Sequence, residues 1–376
     1  MFKLLTVFVL ALVLAYISER NTKIALAKGY HYSAWGDWAY VVLVIALTLF
    51  AGLRTNYNDT QNYITGFNSA PILSEFFSDS KNFNPFLNPL FYLYQSTIKT
   101  WFGNSQMLIF ISAAFTQICF IRFIKRYSDH FLFSIFLYFT LGTFVFTLAA
   151  IKQVLAMAIL TLAFPYLDKK NWGRYYLLIL LAMFVHTYAI AFAILPFCTM
   201  RPWKMFTFIF IAVMVVLMMN FEETITAFMD QANELGKTIA DYEIFDNATI
   251  NIFRLGVYAI PPLMSLIFQK WIFIRTDEKQ NVLIHMSIIS LAFMSMGTQA
   301  GANMFGRMGN YFEMGTICCL PMMLKRTFER RSYRLISSIA SICFVAFFAY
   351  ANAINIIFDL EYQAIGFFEF LGMFFY

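Results

Sequence analysis

The sequence predicts an all-α polytopic membrane protein, and three observations predict it. First, 60% of the 376 residues are apolar, 46 of them Phe, and only 13% are charged. Soluble domains carry about a quarter of their residues as charges, and a soluble chain this apolar could not cover its own core. Second, the apolar residues fall in runs near the roughly 20 residues that a bilayer-crossing helix needs. Third, Trp35, Trp38, Trp101, Trp172, Trp203 and Trp271 all sit at the edges of those runs, where an aromatic belt belongs. Together these exclude a soluble enzyme, a nucleic-acid-binding domain and a disordered chain. The net charge of +6 follows from topology, because membrane proteins hold Lys and Arg on the inner side. No nucleic-acid partner is expected.

In chain order the candidate spans are 2–17, 37–53, 104–122, 131–148, 149–167, 204–220, 251–273, 281–300, 308–324 and 335–358. Lys3 precedes the first run, and no small-x-small cleavage site follows it, so it reads as a retained signal anchor. Basic clusters mark the inner face: Arg20/Lys23/Lys28, Arg122/Lys125/Arg126, Lys169/Lys170/Arg174, Lys270/Arg275/Lys279 and Lys325/Arg326/Arg330/Arg331/Arg334. The 221–250 loop is acidic and belongs outside, with the 54–103 segment and the 359–376 tail. The 86–102 stretch then lies in the outer interface or enters partway, since a crossing there would put Arg122 outside. For 175–197 two arrangements satisfy the charges. One is a re-entrant hairpin with His186 near its tip. The other is a full span, with 204–220 then not crossing. The total is 10–12 transmembrane helices in a single integral membrane domain, 1–376. No internal repeat is visible, and no inverted pair of broken helices, as many secondary transporters have. Five cysteines in or beside apolar runs form neither a disulfide framework nor a metal motif.

Function has to come from polar residues that topology leaves over, since an ionisable group at bilayer depth is costly unless paired or facing water. Lys152, with Gln153 beside it, lies inside TFVFTLAAIKQVLAMAILTLAF. It either snorkels to the interface or points a cation into an outward-facing cavity. His186, in LLAMFVHTYAIAF, is either a bonded core histidine or a functional group on the outer half. Asn303, Arg307 and Tyr311 are spaced i, i+4, i+8, which predicts one polar helix face, beside Gly301, Gly306 and Gly309. Arg254 opens the span after the acidic loop and could pair with Asp246 or Glu243. The segment AGLRTNYNDTQNYITGFN (51–68) crowds Arg54, Asn56, Tyr57, Asn58, Asp59, Asn62 and Tyr63 together. Amides among tyrosines suit sugar recognition, and equally an ordinary polar turn. Asn58-Asp59-Thr60 also matches a glycosylation sequon. Four cations, one His and one Asp on an otherwise acidic outer half suit a phosphate or pyrophosphate ligand, gripped bidentately by Arg and as a point charge by Lys. Any other anionic substrate fits as well. There is no Gly-rich Gly-Lys-Ser/Thr phosphate loop, no HExxH, no Asp-x-Asp and no Gly-x-Ser-x-Gly elbow. No obligate metal and no cofactor are indicated.

In order along the chain these motifs resemble the EpsG family, a branch of the Wzy-like O-antigen and exopolysaccharide polymerases. The resemblance rests on Arg54, Asp59 and Tyr63 beyond an early span, then Lys152-Gln153 in IKQVLAMAI. It continues with His186 in Phe184–Ile190 and with Arg307 before Tyr311-Phe312. Asn88-Pro89-Leu90-Phe91 matches the polar-Pro start of an early amphipathic helix. The family usually has Arg where this chain has Lys152, which keeps the charge and loses the fork.

The resemblance implies a metal-independent, GT-C-like membrane glycosyltransferase in the bacterial inner membrane, with its active site facing the periplasm or exterior. Its donor and acceptor would be undecaprenyl-diphosphate-linked oligosaccharides, reached sideways from the membrane lipids, and a chain-length regulator protein is a partner it allows. Asp59, His186 and Arg307 would be catalytic, with Asp59 or His186 taking the acceptor proton. Arg54, Tyr57, Tyr63, Lys152, Gln153, Arg254, Asn303 and Tyr311 would bind substrate. The alternatives are an O-antigen ligase-type lipid-carrier glycosyltransferase and a lipid-linked oligosaccharide flippase or transporter. A ligase usually carries a longer outer loop with Arg and His, and a flippase would need charges on both halves.

Overall fold

The structure is a computed structural model. It describes residues 2–30, 32–78, 84, 87–220, 250–299, 303–355 and 361–373, with isolated positions between 223 and 234. Most of the acidic 221–250 loop, Gly301, Asp359 and the side chain of Asn303 lie outside the described residues.

The chain is helical, as its composition demands. In the first half the helices are α1 (Phe2–Ala27), α2 (Trp38–Gly52), α3 (Thr60–Ser69), α4 (Leu73–Phe76), α5 (Pro89–Phe102), α6 (Ser105–Tyr127), α7 (Phe131–Thr140), α8 (Thr143–Ala149) and α9 (Ile151–Asp168). The second half holds α10 (Trp172–Val185), a 3₁₀ segment (Thr187–Thr199), α11 (Met205–Met219), α12 (Ile252–Ile267), α13 (Gln269–Ile272), α14 (Glu278–Met296), α15 (Asn303–Asn310), α16 (Glu313–Thr327), α17 (Arg330–Asn355) and α18 (Phe367–Gly372). Two short strands, β1 (Arg54–Asn56) and β2 (Gln363–Ala364), pair antiparallel.

Among the described residues four helices are long and apolar enough to cross a membrane: α1, α6, α9 and Arg330–Ala351 of α17. The bent pair α7–α8 would make a fifth, and five shorter apolar helices accompany them. The expected 131–148 span is broken because Gly142 takes φ +88°, a conformation open to glycine, and the two halves meet at 52°. The expected 308–324 span is also broken: α15 ends at Asn310 and α16 begins at Glu313.

Contacts divide the chain into two compact units. The first comprises Met1–Phe83, Pro89–Thr161 and Arg334–Tyr376. Here α2 packs on α1 and α6, and α1 on α7. Gly52 permits the closest approach: a Cβ there would lie 2.7 Å from the Phe110 ring and 3.2 Å from its Cα. Such small-residue contacts are how membrane helices gain dispersion energy without a hydrophobic drive. One end of this unit gathers two of the basic clusters, where Lys125 Nζ donates to Ser18 Oγ (2.7 Å) and Thr22 Oγ1 (2.9 Å). The other end holds β1, β2 and the start of α1. There Lys3 Nζ donates to the Tyr362 carbonyl (2.9 Å), and the Tyr362 hydroxyl donates to the Phe50 carbonyl (2.6 Å).

The second unit comprises Asn84–Asn88 and Leu162–Tyr333. Its centre is α14, which packs on α12, α15, α16 and the 3₁₀ segment. The helices approach at Gly315, where a Cβ would sit 2.3 Å from Met286 Cβ. The 175–197 stretch is a hairpin. The α10 helix runs up to His186, whose extended backbone (φ −154°, ψ 115°) breaks it, and the 3₁₀ segment returns. The Tyr175 hydroxyl donates to the Phe192 carbonyl at 2.7 Å. In one straight helix those residues would be about 25 Å apart at 1.5 Å per residue.

Candidate functional site

The first unit holds two candidate clusters. Beyond α2 the chain turns through β1 into α3, and Asn58 takes a left-handed φ of +47°, which Asn tolerates. Arg54 is buried under this turn. Its Nε donates to Thr60 Oγ1 (3.2 Å), one terminal nitrogen donates to the Ala51 carbonyl, and Thr60 Oγ1 donates to the Tyr57 carbonyl (2.6 Å). Gln106 Nε2 donates to the Gly52 and Arg54 carbonyls from α6 (2.7 and 3.1 Å). Burial pulls the Arg54 guanidinium down to about 10, opposed by Tyr362 and Tyr63, so it remains a cation at neutral pH. Tyr57 is buried too, and burial followed by the Glu361 carboxylate pushes its phenol up. Asp59 is half-buried where α3 begins.

The second cluster surrounds Lys152. The chain breaks at Ala150, and Lys152 lies in the first turn of α9, near the start of the expected 149–167 span. Its backbone N–H donates to the Tyr63 hydroxyl (3.3 Å), and its Nζ donates to the Tyr92 hydroxyl (3.0 Å). The ammonium lies 5.0 Å from the Phe91 ring centre and 4.6 Å from that of Tyr92, within cation–π range. Tyr63 meets Phe91 edge-on at 6.2 Å. Among the described residues Tyr92 is the one hydrogen-bond partner of Nζ, so two of its three N–H donors are available to a ligand. Gln153 is buried beside it.

The second unit holds the remaining candidates. His186 stands at the hairpin tip. The Tyr311 hydroxyl and His186 Nδ1 share a hydrogen bond of 2.6 Å, and the Tyr188 ring lies edge-on to the imidazole at 5.2 Å. Thr187 donates through both its N–H and its hydroxyl to Asn88 Oδ1 (3.2 Å each). Arg254 donates to Asn310 Oδ1 (3.3 Å) and lies over the Tyr258 ring; Asp246 and Glu243, its expected partners, lie outside the described residues. Arg307 is half-buried on α15.

One sequence expectation fails here. Arg307 and Tyr311 do not lie on one continuous helix, because α15 closes at Asn310 and Tyr311 enters a turn, its N–H bonded to the Met308 carbonyl at 3.2 Å. Glycine at 309, packed so that a Cβ would meet the Ser290 carbonyl at 2.9 Å, sits just before that end. Sequence reading also passed over residues that matter. Tyr92 carried no signal beyond one more aromatic on an amphipathic helix. Glu313 did: it is an acid inside an apolar run, and it is buried at 1% exposure in the first turn of α16.

The fold and these clusters define a multi-pass α-helical membrane protein with buried and half-buried polar groups set in its helix breaks. The chain belongs to the EpsG family, a Wzy-like polymerase family, whose model matches residues 37–364. That range takes in every candidate residue from Arg54 to Tyr311. No curated protein and no solved structure matches the chain.

Proposed function

We propose that this protein is a Wzy-type polysaccharide polymerase. It transfers a growing glycan from an undecaprenyl-diphosphate carrier to the hydroxyl of an acceptor repeat unit, itself lipid-linked, at the outer face of the bacterial inner membrane. The observation that carries this reading is the family match across residues 37–364.

In this reaction the bond from the anomeric carbon to the diphosphate oxygen breaks, and a bond from that carbon to the acceptor oxygen forms. The diphosphate leaves with its lipid, and its developing charge needs fixed cations or donors. Lys152, in the first unit, has donors to spare and is assigned to the diphosphate; Arg307, half-buried in the second, keeps the catalytic role that the family resemblance implies. Asp59, half-buried, is assigned as the base that takes the acceptor proton. Arg54 has two of its nitrogens bonded to its own turn, which favours a shaping role there. Tyr63 and Tyr92 are assigned to the sugar.

The test is reconstitution in vesicles with a lipid-diphosphate-linked repeat unit. The reading expects a ladder of glycans from the wild type and single repeat units from Arg307→Ala and Lys152→Ala. A normal ladder from well-expressed Arg307→Ala removes Arg307 from the site. No polymer from an active preparation removes the polymerase reading.

A further inference from the structure

The bond between Tyr311 and His186 says where the imidazole keeps its proton. Tyr311 is 2% exposed, and among the described residues its hydroxyl has no partner besides His186 Nδ1. A buried phenol has one hydrogen to donate, and buried donors are almost always satisfied. Only an imidazole with a bare Nδ1 can accept it. Were Nδ1 protonated, its N–H would donate to the phenol oxygen, and the phenol hydrogen would point at nothing among the described residues. Which imidazole nitrogen carries the proton is set by the bond the other one makes. Here that bond leaves the proton on Nε2.

The ring is also fixed at its root. The His186 N–H closes α10 on the Ala182 carbonyl at 2.9 Å. On the other side Thr187 is held twice by Asn88 Oδ1, at 3.2 Å each. Asn88 itself is in a left-handed conformation, φ +57°, immediately before the proline that opens α5. Tyr311 and Tyr188, both phenols, border the ring.

We propose that Tyr311 is a positioning residue that holds His186 as the Nε2–H tautomer. His186 then serves as a hydrogen-bond donor to an anionic oxygen of the substrate, and does not take the acceptor's proton. The identity of that oxygen as a carrier diphosphate rests on the polymerase reading; the tautomer does not.

The experiment uses the full chain in lipid nanodiscs with ¹⁵N-labelled histidine. Four histidines are present, and His186 is assigned by the signal that His186→Gln removes. The wild type is expected to show an unprotonated Nδ1 and a protonated Nε2, and Tyr311→Phe a mixture of both tautomers. A structural role alone would not move that signature. In the polymerase assay Tyr311→Phe is expected to lower kcat by up to about tenfold, the worth of one neutral hydrogen bond. His186→Gln keeps an N–H donor and cannot act as a base, so it should retain activity near that of Tyr311→Phe. His186→Ala should fall about a hundredfold, as for loss of one oxyanion donor. A protonated Nδ1 in the wild type overturns the assignment, and so does His186→Gln as inactive as His186→Ala. If the wild type makes no polymer, the polymerase reading fails while the ¹⁵N result still decides the tautomer.

Discussion

Replacing Arg54 by alanine separates a residue that builds the site from one that touches substrate. The guanidinium is 1% exposed and is bonded to Thr60 Oγ1 and the Ala51 carbonyl. Hydrogen bonds to a charged group contribute about 1.5–3 kcal/mol each, so losing both costs roughly 3–6 kcal/mol before any repacking. Whole-protein stability is only about 5–15 kcal/mol. Arg54→Ala should therefore unfold at a clearly lower temperature in detergent, and its loss of polymer should track its loss of folded protein. Thr60→Val removes one of the two acceptors and should cost about 1–3 kcal/mol, since it leaves a buried N–H without its partner. Arg54→Lys keeps the charge but not the fork, and should fall between wild type and alanine. The assay is thermal unfolding of the purified variants beside the glycan ladder. An Arg54→Ala protein that melts with the wild type and makes no polymer would refute the structural reading and return Arg54 to the substrate.

Other substitutions probe the remaining joints. Gly315→Ala places a Cβ against Met286 Cβ at 2.3 Å and the Leu283 carbonyl at 2.7 Å; overpacking of this kind costs about 1–3 kcal/mol, read as a drop in melting temperature. Phe370→Ala empties a buried position whose ring centre lies 4.5 Å from that of Phe110, at a cost of about 3–5 kcal/mol, and should loosen α18, read as faster protease clipping of the C-terminal segment. Lys152→Arg should keep most activity, because the charge stays in the first turn of α9, and Tyr92→Phe, which removes only the hydroxyl on Nζ, should lower the rate less than Lys152→Ala does; initial rates with a lipid-linked repeat unit check both.

The helical class was legible because membrane helices must satisfy their backbone internally, and composition reports that need directly. The hairpin at His186 was legible as one of two alternatives because charges at Arg174 and Arg201 constrain both ends of an apolar stretch too short to cross twice. Helix breaks were not. Gly142 reads as one more small residue in an apolar run, yet its φ of +88° divides α7 from α8. The break at Asn310 moved Tyr311 off the face predicted from i, i+4, i+8 spacing and onto His186, a residue 125 positions earlier. The β1–β2 pairing likewise joins Arg54 to Ala364, a register that no local pattern contains.

A buried cation in a membrane protein is a functional candidate on cost alone, but its cost is met in more than one way. Arg54 meets it with a carbonyl of α2 and a hydroxyl of α3, groups that belong to its own turn. Lys152 meets it with one hydroxyl and two ring faces, which leaves N–H donors over. Sequence shows both as charges beside apolar runs and ranks them equally. What distinguishes them is burial and where the partners come from: Arg54 is 1% exposed and held by the segments on either side of its own turn, whereas Lys152 is half-buried and held by a phenol of α5. At Tyr311 a single hydrogen goes to a single acceptor. Burial and partner origin thus turn equivalent candidates into different roles: Arg54 shapes a turn, Lys152 has donors left for a ligand, and Tyr311 orients a second residue.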